Sequence, residues 1–228
     1  MKKTKPKRYQ AVKIPAGVSL NRILDNEARE LYKPSIDKLM ELVPEAMARK
    51  IPEANVQQGF VFDTVHRYTV RGKIPKVLCV GSYEDTASMG LIAMGYRVTE
   101  IDPVINCPIQ KFFVNPSTVR NSYDIIFSTS VIEHVQDDSA FVAYISELLA
   151  PNGVAIITCD YKDGWMPGEP KPPVDMRLYT QGDLRDRLLF LMTGCSLVDE
   201  PQWDCPNPDF ILAGTYQYTF ATLVAKKN

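Results

Sequence analysis

Histidine is nearly missing from this chain: His66 and His134 are its only two. No C-x-x-C or H-E-x-x-H spacing occurs either, so the usual zinc donor sets are absent and no metal is expected. Cysteine is sparse and odd in number, with Cys79, Cys107, Cys159, Cys195 and Cys205 scattered along the sequence. Cys79 and Cys159 fall inside apolar runs, where a thiol packs as a small apolar group; a reduced, cytoplasmic setting fits this better than a disulfide framework. No apolar run approaches the length of a membrane span, and no signal-peptide pattern opens the chain. The net charge is only -1, which gives no global pull toward nucleic acid. Acid is absent before Asp25, where Lys2, Lys3, Lys5, Lys7, Arg8, Lys13 and Arg22 collect. This stretch reads as a solvated basic tail, with contact to an anionic partner as the alternative.

What is present is enough apolar material for one full core, 45% of 228 residues. The organising stretch is KVLCVGSYEDTASMGLIAMGYRVTEIDP, Lys76 to Pro103. An apolar run stops at Gly81, a polar loop leads to a candidate N-cap at Asp85, and a helical segment ends at Gly95 before a second run, Val98 to Ile101, closes on Asp102. This is a βαβ unit with a ligand crevice at its strand ends. Gly81 lets the backbone approach a ligand, and an acid at the end of the second strand can accept hydrogen bonds from both hydroxyls of a ribose. The loop reads Gly81-Ser82-Tyr83-Glu84-Asp85 rather than G-x-G-x-x-G, and its two carboxylates stand where a pyrophosphate would sit. S-adenosylmethionine has no phosphate, and its sulfonium and ammonium are cationic; the residues favour it over NAD.

The rest of the chain predicts an α/β fold: a Rossmann-like sheet, mostly parallel with a C-terminal antiparallel strand, plus N-terminal helices. Residues 1–18 form the basic tail, 19–75 a helical cap and lid segment, and 76–228 the ligand-binding domain. Pro34 and Pro44 divide Ser19 to Lys50 into two or three short helices covering one end of the sheet. Gln57 to Lys73 is either a lid or a packed connection. A third strand is expected at Phe112 to Val114, a fourth at Tyr123 to Phe127 and a fifth at Val154 to Thr158. Helices are expected over Asp138 to Leu149 and Gln181 to Met192, with a turn at Ala150-Pro151-Asn152-Gly153. Ser196 to Trp203 and Tyr216 to Ala225 read as late strands, the second antiparallel.

In order, VLCVGSY, VTEIDP, YDIIFSTSVIEHV and LLAPNGVAIIT resemble the class I S-adenosylmethionine-dependent methyltransferases from about Lys76 to Lys226. The most specific match is SVIEHV followed at the family's usual distance by APNG. The resemblance implies that Gly81, Ser82 and Tyr83 contact the methionine portion of the cofactor and Asp102 its ribose. It also implies that Asn115 stands near the adenine and that Ser128 lines the methionine end. Two departures stand out: the acid common before the first glycine is Cys79, and the glycine-rich turn is Ser-Tyr-Glu-Asp. Some relatives bind a divalent metal through E-x-x-E-H; here Ser130 replaces the first glutamate.

Methyl transfer to an alcohol needs a proton acceptor, and His134, neutral near pH 7 at its ordinary pKa, is the candidate general base. The bland alternative is that it shapes the pocket. Tyr161, Trp165, Asp175, Arg177 and Tyr179, in or beside a loop with four prolines, combine flat apolar faces with polar groups and suggest a small-molecule or glycan acceptor. The function expected is O-methylation of such an acceptor; the alternatives are an inactive binding subunit of the same fold and an RNA-directed enzyme using the basic tail.

Overall fold

The computed structural model describes residues 9–69 and 74–228. Most of the basic tail, Lys2 to Arg8, and the end of the 57–73 segment therefore lie outside the described residues.

Proline and capping residues set the N-terminal helices. In α1 (Asn26–Leu31), Asp25 caps the start by accepting the Ala28 N–H at 3.0 Å. Helices α2 (Lys33–Leu42) and α3 (Pro44–Met47) carry Pro34 and Pro44 in their first turns, where the missing N–H breaks no bond. A 3-10 turn (Pro52–Ala54) leads into α4 (Asn55–Tyr68), which is buried from Asn55 through Val65. This helix packs on the sheet and on α2, so the upstream region covers a face of the sheet rather than an end. Gly59 permits that packing: a Cβ there would lie 2.7 Å from Ile36 Cγ1. The buried Asp63 of α4 ties down the preceding chain, accepting from the Val12 N–H at 2.7 Å, from Arg67 at 2.9 Å and from the Tyr9 hydroxyl.

The expected βαβ unit follows as β1 (Val77–Val80), α5 (Thr86–Ala93) and β2 (Val98–Ile101). Next come α6 (Ile109–Val114), β3 (Tyr123–Thr129), α7 (Asp138–Leu148) and β4 (Leu149–Tyr161). A π-helical turn (Asp183–Leu188) runs into α8 (Leu189–Leu191), before β5 (Cys195–Leu197), β6 (Phe210–Leu212) and β7 (Tyr216–Lys227). The strand order is β2-β1-β3-β4-β7-β5, with β6 also pairing β7. β1 to β4 are mutually parallel where they pair, and β7 is antiparallel to β4, β5 and β6. The fold is thus the expected Rossmann-like, mostly parallel sheet with an antiparallel C-terminal strand.

Alternation along the strands builds two cores. Leu78, Val80, Ile126 and Ile157 pack with Phe141, Val142 and Ile145 of α7, whereas Val77, Cys79, Ile125, Phe127 and Ile156 pack with Leu39, Phe60, Val61 and Leu91. Residues 19–75 therefore contribute to the same core as the sheet they precede, through Leu24, Leu39 and Phe60.

Three further sequence expectations need correction. Phe112 to Val114 is the end of helix α6, not a strand: Ile109 and Phe113 at i and i+4 are buried, and Phe113 stacks on Tyr144 of α7 with ring centroids 4.4 Å apart. The sheet consequently ends at β2. The APNG segment is an irregularity inside β4, since the pairing with β3 jumps from Tyr123↔Leu149 to Ile125↔Val154. Gly153 fits there because a Cβ would lie 2.8 Å from the carbonyl oxygens of Ala150 and Tyr123. Beyond Leu197 the expected late strand leaves the sheet edge: Gln202 exchanges backbone hydrogen bonds with Asn21 and Ile23, and Trp203 is held by an Nε1–H donated to Thr222 O at 2.9 Å.

Candidate active site

Strand order switches at β1: the parallel sheet grows to β2 on one side and to β3 on the other, opening a crevice beyond the strand ends. A cavity of about 600 Å³ occupies it, bounded by Gly81 after β1, Asp102 after β2, and Thr129 and Ser130 at the end of β3. The start of α4 closes it from above with Asn55, Gln57 and Gln58, and Arg49, Lys50 and Ile51 add the remaining wall.

The loop after β1 is held from below. The Gly81 N–H donates to Ile101 O at 2.8 Å, and φ at Gly81 is +86°, a left-handed value suited to glycine. A Cβ at Gly81 would lie 2.4 Å from Val131 Cγ2. Asp102 is buried: one carboxylate oxygen accepts the Tyr83 N–H at 3.2 Å and the other the Val104 N–H at 2.7 Å. Each oxygen keeps further acceptor capacity, and the residue lines the cavity. Asp85 caps α5 as expected, accepting the Ser88 N–H at 2.7 Å. Its second oxygen is buried without a hydrogen-bond partner, and burial pushes its carboxyl up to about 6. Thr129 Oγ1, Gln57 Oε1 and Asn55 Oδ1, all on residues of the cavity wall, are likewise buried and unpartnered.

At the opposite end β3 is followed by Ser130, a non-glycine residue at φ +53° that turns the chain into the 3-10 turn Ile132–His134. The Ser130 N–H donates to Thr158 O at 3.2 Å and its hydroxyl to Glu133 at 2.7 Å. Here His134 lines the cavity, and its Nδ1 lies 3.2 Å from Asp175 Oδ1. The hydrogen bond to Asp175 raises the imidazole to about 9, so at pH 7 the ring is protonated rather than neutral. Among the described residues no group of three or more His, Cys, Asp or Glu is gathered for a metal ion.

Of the residues marked from sequence, Gly81, Tyr83, Asp102 and His134 meet at one cavity. Ser82 and Ser128 are buried beside it without lining it, and Asn115 leaves the site altogether. With no third strand to carry it, Asn115 sits exposed at the end of α6 and accepts from the Ser117 N–H at 3.0 Å. The acceptor platform is also dismantled. Tyr161 and Tyr179 are core residues, Arg177 pairs with Asp138 at 2.6 Å, and Asp175 is buried against His134. Gln57 and Gln58 open the segment read from sequence as a lid or packed connection, and here they line the cavity; Asn55 and Thr129, which line it too, carry no such signal.

Residues 113–157 match a family model described as a methyltransferase domain. In structure the chain is similar to the 1,6-didemethyltoxoflavin-N1-methyltransferase of Burkholderia thailandensis, with a TM-score of 0.55 at 17% identity, covering 95% of this chain and 93% of that one. A candidate sarcosine dimethylglycine methyltransferase from Galdieria sulphuraria gives 0.55 at 17% identity over 75% and 84% of the two chains. An S-adenosylmethionine-dependent methyltransferase from Methanosarcina mazei gives 0.51 at 14% over 72% and 96%. No curated protein matches in sequence. The chain has the fold of the class I S-adenosylmethionine-dependent methyltransferases.

Proposed function

We propose that this chain binds S-adenosylmethionine in the crevice and methylates a hydroxyl of a small molecule or sugar. The observation that carries the proposal is the pairing of Gly81 with a cavity-facing Asp102, beside a loop that adds Asp85 and a Glu84 already paired with Arg49 at 3.1 Å. The residues present fit this cofactor. Asp102 has acceptor capacity for ribose hydroxyls, and the unpartnered buried oxygens of Asn55, Gln57 and Asp85 offer acceptors to an ammonium group. The bound S-adenosylhomocysteine of the Burkholderia neighbour supports the same assignment.

When bound, the cofactor supplies an already activated methyl group, so the protein's own work is alignment, exclusion of water and removal of a proton. Alignment falls to Asp102 and the loop after β1. The α4 end covers the crevice and keeps it dry. His134 takes the acceptor proton after its ring has lost one to solvent. Exposed Ile51, Tyr83 and Val104 make the rim apolar, suiting an acceptor with a nonpolar face.

Titration calorimetry tests the reading. S-adenosylhomocysteine is expected to bind with saturable heat and NAD to give none; heat from NAD alone would reject it. Binding without turnover over a broad panel of hydroxylated acceptors would favour an inactive binding subunit, a role the altered Cys79 and Ser82 to Asp85 positions also suit.

A further inference from the structure

The chain after β4 returns across the 3-10 turn that bears His134, and several contacts strap it there. The Met176 N–H donates to Glu133 O at 2.8 Å, Arg177 donates to Gln136 O at 3.0 Å, and the same guanidinium pairs with Asp138 at 2.6 Å. The strap delivers one carboxylate to the imidazole. Asp175 Oδ1 lies 3.2 Å from His134 Nδ1, with the Asp175 side chain 1% exposed and the imidazole 42% exposed. Val174 O lies 3.2 Å from the same nitrogen. Two acceptors at Nδ1 require a proton there, and Nε2 has no partner among the described residues.

We infer that Asp175 is the positioning residue for His134: it fixes the Nδ1–H tautomer and leaves Nε2 as the atom that exchanges a proton with the acceptor. This rests on the methyltransferase reading above. In the step it serves, the acceptor O–H bond breaks, the proton passes to Nε2, and the electron pair stays on the oxygen that becomes the nucleophile. The part Asp175 plays is orientation: its carboxylate faces Nδ1 and lies away from the atom that exchanges the proton. The groups facing this pair come from each neighbouring element: Glu133 from the turn itself, Asp160 from β4, Tyr218 from β7 and Lys171 from the strap. Burial, then the neighbouring carboxylates, push Asp160 well above the usual carboxylate value, and burial raises Glu133 as well. With the imidazole raised to about 9 beside Asp175, the base is protonated at rest, and turnover is expected to climb with pH toward about 9.

Two histidines make the test direct. Imidazole proton–carbon NMR spectra of the full chain, assigned with His66→Gln, are titrated from pH 5 to 10 for wild type and Asp175→Asn. His134 is expected to titrate near 9 in wild type and at least about one pH unit lower in the variant, with wild-type nitrogen shifts reporting Nδ1–H in the neutral ring. The half-maximal pH of methyl transfer should move down by the same interval, and Asp175→Ala should lower kcat about tenfold or more with KM little changed. A His134 titration near 6.5, an Nε2–H tautomer, or a rate profile unmoved by Asp175→Asn overturns the inference. The wild-type spectra decide it even if the variants fail to fold. Intact spectra without S-adenosylhomocysteine binding would instead overturn the underlying functional reading.

Discussion

The two ends of the cavity are built by different means. At the β1–β2 end, Asp102 is set by two backbone N–H groups from its own and the adjacent loop, so binding geometry is written into local backbone. At the β3–β4 end, His134 is set by Asp175, 41 positions later, and by a strap held through Glu133, Gln136 and Asp138. The first end resists change in side chains; the second depends on a network whose buried carboxylates, Glu133, Asp160 and Asp175, each keep an unpartnered oxygen. One end should govern affinity and the other turnover.

The sharpest test of that division is His134→Ala, which is expected to lower kcat by about 10²–10⁴ in steady-state assays while leaving S-adenosylhomocysteine affinity within about threefold. Gly81→Ala should break the other end. The left-handed backbone and the contact with Val131 together should cost about 2–4 kcal/mol in urea denaturation and reduce product binding in parallel. Asp102→Ala is expected to weaken that binding by about 10- to 100-fold, with kcat at saturating cofactor much less affected.

Asp85 gives the smallest and most diagnostic effect. Its carboxyl is raised from 3.8 to about 6, so the folded chain holds more protons than the unfolded chain across that window. Stability from this group is present at low pH and lost as pH rises through about 6. Asp85→Asn keeps a competent N-cap and should stabilise the chain by about 1–2 kcal/mol at pH 8 and by little at pH 4, read from denaturation midpoints. If Asp85 receives a ligand ammonium, wild-type affinity for S-adenosylhomocysteine should fall below pH 6 and the variant's should not.

Local signals were legible and distant ones were not. The apolar run before Gly81, the cap at Asp85, the acid at Asp102 and the alternating Tyr216 to Ala225 stretch each announce themselves within a few residues. Phe112-Phe113-Val114 was too short a run to separate strand from helix, because Ile109, one turn earlier, completes a helical stripe as readily. A helix there places Asn115 at its exposed end, away from the crevice. An open loop over residues 160–177 would leave Tyr161 and Tyr179 as a platform; the structure extends β4 through Tyr161 and bridges it to Tyr179. Asp175 as the partner of His134, and Asn55 as part of the cavity wall, are products of tertiary packing that no spacing rule encodes.

The central claim is that Asp102 and the Gly81 turn grip the adenosyl moiety. A crystal structure of the chain with S-adenosylhomocysteine tests it most directly. The ribose hydroxyls are expected within hydrogen-bond distance of the Asp102 carboxylate, with the methionine portion over Gly81; a ligand seated elsewhere, or an Asp102 turned from an occupied crevice, would contradict it.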